Sequence, residues 1–146
     1  MNYKQLLILR LSNLTEWLNE KEMYIPGEMH RDFNYAETCE FLGDGKYILR
    51  DYWKNGHLYW KREYHNGQIH GTNLGWHENG QPHWKAEYQN GLVHGLYLGW
   101  WENGNKRWED EYQDGQQHGR TVEWNKSGYL YREEEYQNGQ LIKRHL

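Results

Sequence analysis

The chain has 146 residues, 36% hydrophobic and 26% charged, and a formal charge of −4. That length bounds it to one domain with a modest core, and an acidic excess spread evenly, −2 over residues 1–50 and −2 over 51–146, gives no cluster of Lys and Arg to attract nucleic acid or an anionic membrane. The longest apolar run, Leu6–Leu9, is far shorter than the ~20 residues of a membrane span, Arg10 interrupts any leader-like stretch, and the lone Cys39 excludes an internal disulfide, so the expected location is the cytoplasm.

Residues 1–40 are read as a cap segment. Leu7, Leu11, Leu14 and Leu18 recur at helical spacing, and Asn13 with Glu16 has the form of a capping box, which predicts a helix over 14–21. A strand over 4–11 followed by a short helix over 15–21 is the alternative for the same residues. The stretch YIPGEMHRDFNYAET has no periodicity and reads as a loop. Its expected role is to cover the first hairpin and blunt a sheet edge.

From residue 41 onward the chain repeats itself. Glycines fall at 56, 67, 80, 91, 104, 115, 128 and 139, alternating in steps of 11 and 13 that sum to 24, and all but two follow Asn. Asn-Gly and Asp-Gly favour two-residue type I′ hairpin turns, because both central residues need positive φ. Two-residue turns throughout predict that Tyr88 pairs with Val93, Ala86 with Gly95, Lys85 with Leu96 and Trp84 with Tyr97, and on the other side that Trp76 pairs with His83 and Gly75 with Trp84. Upstream, EFLGDGKYILRDYW is a degraded copy with an irregular turn, and downstream Arg132 stands in a tryptophan position while Ile142 replaces a histidine.

Alternation sorts these residues onto two faces. One carries Trp60, Tyr64, Trp84, Tyr88, Trp108 and Tyr112 over Gly71, Gly75, Gly95 and Gly99, where rings cover bare backbone and act as structural repeat positions. The other carries Leu74, Trp76, Leu98, Trp100, Val122 and Trp124, the candidate binding surface, since exposed aromatic rows beside charges are the material of interface hot spots. Nine Trp and thirteen Tyr against two Phe fit such half-exposed faces better than a sealed core. The expected fold is therefore all-β: an elongated single-layer antiparallel meander of 24-residue hairpins over 41–146.

The segment HGLYLGWWENGNKRWEDEYQDGQQHG, residues 94–119, resembles the MORN-repeat variant of bacterial antitoxin-like and giant-virus proteins, and the resemblance covers about residues 47–146. It implies a hairpin-repeat scaffold without a catalytic site, binding a protein such as a toxin or effector, with lipid association in some members. Carbohydrate or phospholipid recognition is the alternative expectation, and self-association through the sheet edge or the Leu-x-Trp face is another.

No catalytic residues are assigned, because no nucleophile-base set, phosphate-cradling loop or HExxH stretch is present, and no cofactor is expected. Glu63 with His70, Glu87 with His94 and Glu111 with His118 are expected cross-strand partners. Successive copies of that pair lie about 9–10 Å apart, too far for neighbouring histidines to share one ion, so no metal is assigned to them.

Overall fold

The computed structural model describes residues 9–10 and 38–146. Over these the chain forms a single antiparallel sheet with no helix among the described residues. Its strands are β1 (Leu9–Arg10), β2 (Thr38–Gly43), β3 (Lys46–Tyr52), β4 (Leu58–His65), β5 (Gln68–Ile69), β6 (Gly71–Trp76), β7 (Pro82–Gln89), β8 (Leu92–Trp100), β9 (Lys106–Gln113), β10 (Gln116–Trp124), β11 (Leu130–Gln137) and β12 (Gln140–Arg144). Spatial order follows chain order, with β5 and β6 both pairing to β4. The helix expected over 14–21, the loop after it and the cap role lie outside the described residues. Leu9–Arg10 is extended and pairs with Cys39 and Thr38.

The turns are of two kinds, where the sequence reading has one. At Asp44–Gly45, Asn66–Gly67, Asn90–Gly91, Asp114–Gly115 and Asn138–Gly139 both residues have positive φ, between 49° and 83°, as a type I′ turn needs. The Asp44–Gly45 turn, expected to be irregular, is thus a regular one, and the irregularity is a register shift between Phe41 and Gly43. At Gly56, Gly80, Gly104 and Gly128 only the glycine has positive φ. There Trp53 N donates to His57 O and Gly56 N to Trp53 O, and the same two bonds recur at 77–81, 101–105 and 125–129. This is a three-residue loop with glycine in the left-handed position, and its extra residue moves Trp76 opposite Pro82 instead of His83.

A second correction concerns the His-Gly pairs. Tyr88 pairs with Val93 as expected, but Ala86 pairs with Tyr97, Lys85 with Leu98 and Trp84 with Gly99. On the β7 side two extra residues are taken up between Val93 and Tyr97, so that His94, Gly95 and Leu96 stand against Glu87 alone, while Gly95 stays paired with Tyr112 on the β9 side; β9–β10 slips in the same way between Gln117 and Thr121. Gly71, Gly95 and Gly119 make the bulge possible with φ of 80°, 91° and 103°. Because side chains alternate with period two, a slip of two leaves every side chain on its expected face.

The conventional core is confined to the first strands. Cys39, Tyr47, Ile48, Leu49, Trp60 and Tyr64 are buried there, and Tyr47 stacks on Tyr64 with ring centroids 5.0 Å apart. From β6 onward the buried residues are few, chiefly Asn73, Ala86, Thr121, Val122 and Glu134. No second layer covers either face among the described residues.

Candidate functional site

The six residues of the candidate binding surface share one face. Leu74, Leu98 and Val122 lie on β6, β8 and β10, and across the ladder they alternate with Lys85, Glu109 and Glu133. Trp76, Trp100 and Trp124 form a parallel row near the three-residue loops. Leu74, Leu98 and the three tryptophans are half-buried, and Val122 is buried at 1% exposure. The flanking carboxylates of Glu109 and Glu133 are drawn into ion pairs with Lys106 at 2.5 Å and Arg120 at 2.8 Å. Lys106 also lies 5.5 Å from the Trp124 ring centre, within cation–π range. The row therefore presents flat indole surface bordered by partly neutralised charge.

On the opposite face the predicted columns are present. Trp60 pairs with Gly75, Gly75 with Trp84, Trp84 with Gly99 and Gly99 with Trp108. A Cβ added at Gly75 would collide with the Trp84 indole, and one at Gly99 with that of Trp108. These glycines leave the space that the rings fill. The tyrosine column differs: Tyr88 pairs with Gly71 and Tyr112 with Gly95 in register, but the bulge turns the open side of Gly71 toward the Glu63 carboxylate. Tyr64, for its part, pairs with Ile69.

Between the two columns runs a central line that sequence reasoning passed over, in which Ala86 holds the position taken by Arg62, Asp110 and Glu134 in the other units. Ala86 is 1% exposed, and its ladder partners Asn73 and Tyr97, with Trp84 and Tyr88 of its own strand and Arg62 and Ile69, line a cleft of about 310 Å³. One unit on, Tyr97 contacts Trp108 edge-on at 5.7 Å and Tyr112 at 6.3 Å. Burial there pushes the Asp110 carboxyl up to about 6, against the lowering effect of its hydrogen bond with Thr121. Asp110 Oδ1 and Trp108 Nε1 are both buried without a hydrogen-bond partner among the described residues.

Both edges of the sheet are tied by bonds that join each unit to the next. On the three-residue-loop edge, Asn55 Nδ2 donates to Glu78 O, Asn79 Nδ2 to Glu102 O and Asn103 Nδ2 to Lys126 O. Beside them Trp53 Nε1 donates to Trp76 O and Trp101 Nε1 to Trp124 O, while His77 Nε2 bonds Trp100 O. On the I′ edge, Nδ1 of His70, His94 and His118 accepts from the backbone N–H of Asn90, Asp114 and Asn138, each at 3.4 Å. The histidines thus face the next turn, and of the expected Glu–His pairs the backbone bond from His70 N to Glu63 O is present. The signal for these ladders is in the sequence as the 24-residue spacing of Trp53, His77 and Trp101.

Among the described residues, no three His, Cys, Asp or Glu side chains converge as a metal would need. Burial pushes the Cys39 thiol up to about 12, which leaves it protonated near neutrality. No described helix is long and apolar enough to cross a membrane. Compared with known proteins, the chain matches no family model and no curated relative.

Proposed function

We propose that the chain is a non-enzymatic, MORN-like repeat scaffold that holds another protein against the face bearing Leu74, Trp76, Leu98, Trp100, Val122 and Trp124. The observation that carries this reading is the spacing of Trp76, Trp100 and Trp124 on alternate strands of one face, half-buried, with no described element packed over them. Indole rows of this kind offer large contact area at low entropic cost, and Trp is enriched among the residues that dominate binding energy. The partner is expected to be a protein, such as a toxin or effector, or a second copy of the chain.

The test is an affinity capture from the native host, repeated with Trp76→Ala plus Trp100→Ala. A single stoichiometric protein that is lost on mutation, with the circular dichroism spectrum kept, is the expected result, and its identity decides between toxin and effector. Capture unaffected by the two substitutions would rule out this face as the binding surface, and unfolding of the double mutant would assign the two rings to stability.

A further inference from the structure

Six Asn-Gly pairs punctuate the chain, and the fold treats them unequally. We propose that Asn90 and Asn138 are sites of spontaneous deamidation, and that the fold protects Asn55, Asn79 and Asn103 from the same reaction. Asn66 stands apart, because its Oδ1 lies against Gly45 of the preceding hairpin.

The chemistry needs only the Asn-Gly pair and water. The glycine backbone nitrogen gives up its proton and attacks the asparagine Cγ. A Cγ–N bond forms, the Cγ–Nδ2 bond breaks, and the side-chain nitrogen takes up a proton and leaves as ammonia. Solvent water then opens the resulting cyclic imide at one of its two carbonyls, giving aspartate or the isomer whose main chain runs through Cβ. Glycine favours the attack because it has no Cβ to crowd the approach.

The glycine nitrogen does not discriminate between the turns, since Gly80 and Gly104 donate to His77 O and Trp101 O while Gly91 and Gly139 donate to Ile69 O and Gln117 O, all at 2.8–2.9 Å. The asparagine side chains do. Asn79 Nδ2 donates to Glu102 O at 2.9 Å and its Oδ1 accepts from Gln81 N at 3.0 Å. Asn55 is held the same way by Glu78 O and His57 N, and Asn103 by Lys126 O and Asn105 N. Both bonds must be released before Cγ can turn to the attacking nitrogen and Nδ2 can leave. Asn90 and Asn138 are exposed, and neither side-chain amide has a hydrogen bond among the described residues.

The third unit already shows the product. Asp114 occupies the position of Asn90 and Asn138 with φ of 49° against 50°, its amide meets His94 Nδ1 at the same 3.4 Å, and Gly115 N bonds Val93 O as Gly91 and Gly139 bond their own acceptors. The turn therefore accepts aspartate without rearrangement. Its Oδ1 lies 3.3 Å from His94 Nδ1, so conversion at Asn90 and Asn138 would set a carboxylate beside His70 and His118 in the same way. Two conversions take the formal charge from −4 to −6, all of the change on one edge. The isomeric product instead lengthens the main chain at the point where the glycine amide joins the ladder.

The experiment ages the intact folded chain in mildly alkaline buffer. A parallel sample is kept in denaturant, and conversion at each asparagine is followed by peptide mass spectrometry that separates aspartate from its isomer. Two hydrogen bonds correspond to roughly a tenfold to thirtyfold rate difference. The expected result is that Asn90 and Asn138 convert at least about tenfold faster than Asn55, Asn79 and Asn103 when folded, and that the five converge in denaturant. A folded ratio below that, or the same ratio persisting in denaturant, overturns the proposal.

Discussion

Asp110 is an acid set among rings. Tyr97 faces it across the ladder and Trp108 and Tyr112 flank it on β9, one of its oxygens has no partner among the described residues, and burial lifts its carboxyl from the ordinary 3.8 to about 6. The sign of the consequence follows from linkage: below 3.8 the group is protonated folded and unfolded alike, and as the pH rises toward 6 the unfolded chain ionises first. This residue therefore costs stability progressively between those values and by a constant amount above them. Because the residue is half-buried and part of its carboxylate still meets solvent, screening reduces the cost to the order of 1 kcal/mol. Asp110→Asn is expected to match the wild type near pH 4 and to exceed it near pH 7, read as the midpoint of urea unfolding. A wild type no less stable than the variant near pH 7 would contradict this account.

At the scale of the element, the fourth unit shows how one pairing replaces another. Where earlier units set Gly75 against Trp84 and Gly99 against Trp108, β10 and β11 set Glu123 against Arg132. Arg132 Nη1 lies 2.6 Å from Glu123 and Nη2 2.6 Å from Glu134, and Arg144 closes on Glu134 from β12. A bare glycine beside a ring and a carboxylate beside a guanidinium are alternative solutions for the same slot: glycine facing Arg132 would leave the cation short of one partner, and a tryptophan at 132 would strip Glu123, already flanked by Trp108 on the other side, of its guanidinium. Glu123→Gly and Arg132→Trp are each expected to destabilise the chain, and the double substitution to recover part of the loss, with a coupling of about 0.5–3 kcal/mol in urea unfolding. Additive effects would show that the two positions do not share one slot.

The same contrast explains what the sequence could and could not tell. Face assignment was legible because it depends only on parity, which the Asn-Gly spacing preserves. The register was not, because Asn-Gly suits both a two-residue turn and the last two positions of a three-residue loop, and because nothing local marks His94–Gly95 as the place where β8 takes up two extra residues against β7. Of the candidate site, the Leu-x-Trp row was visible in alternation, whereas the edge ladders and the environment of Asp110 arise from side chains that meet only after the strands are paired.

For the molecule as a whole, stability is graded along the sheet. The first strands hold Leu49 at 0% and Tyr47 at 1% exposure, whereas every residue of β12 is exposed. Repeats that touch only their neighbours open from the weaker end. Amide hydrogen exchange is expected to be slowest in β3 and β4, faster in β7 to β10, and fastest in β11 and β12. A single protection factor across the sheet would show instead that it opens as one unit.

The ladders on the two edges have a consequence for how such a chain can change in length. Each rung joins a side chain to a backbone carbonyl in the next unit, as Asn55 reaches Glu78 and Asn79 reaches Glu102. Removing or duplicating 24 consecutive residues between Gly56 and Gly104 therefore rejoins every donor to an acceptor of the same kind. A gene encoding this pattern can gain or lose a rung by slippage of its own repeats, and the protein inherits a longer or shorter version of the same surface without needing a new way to fold.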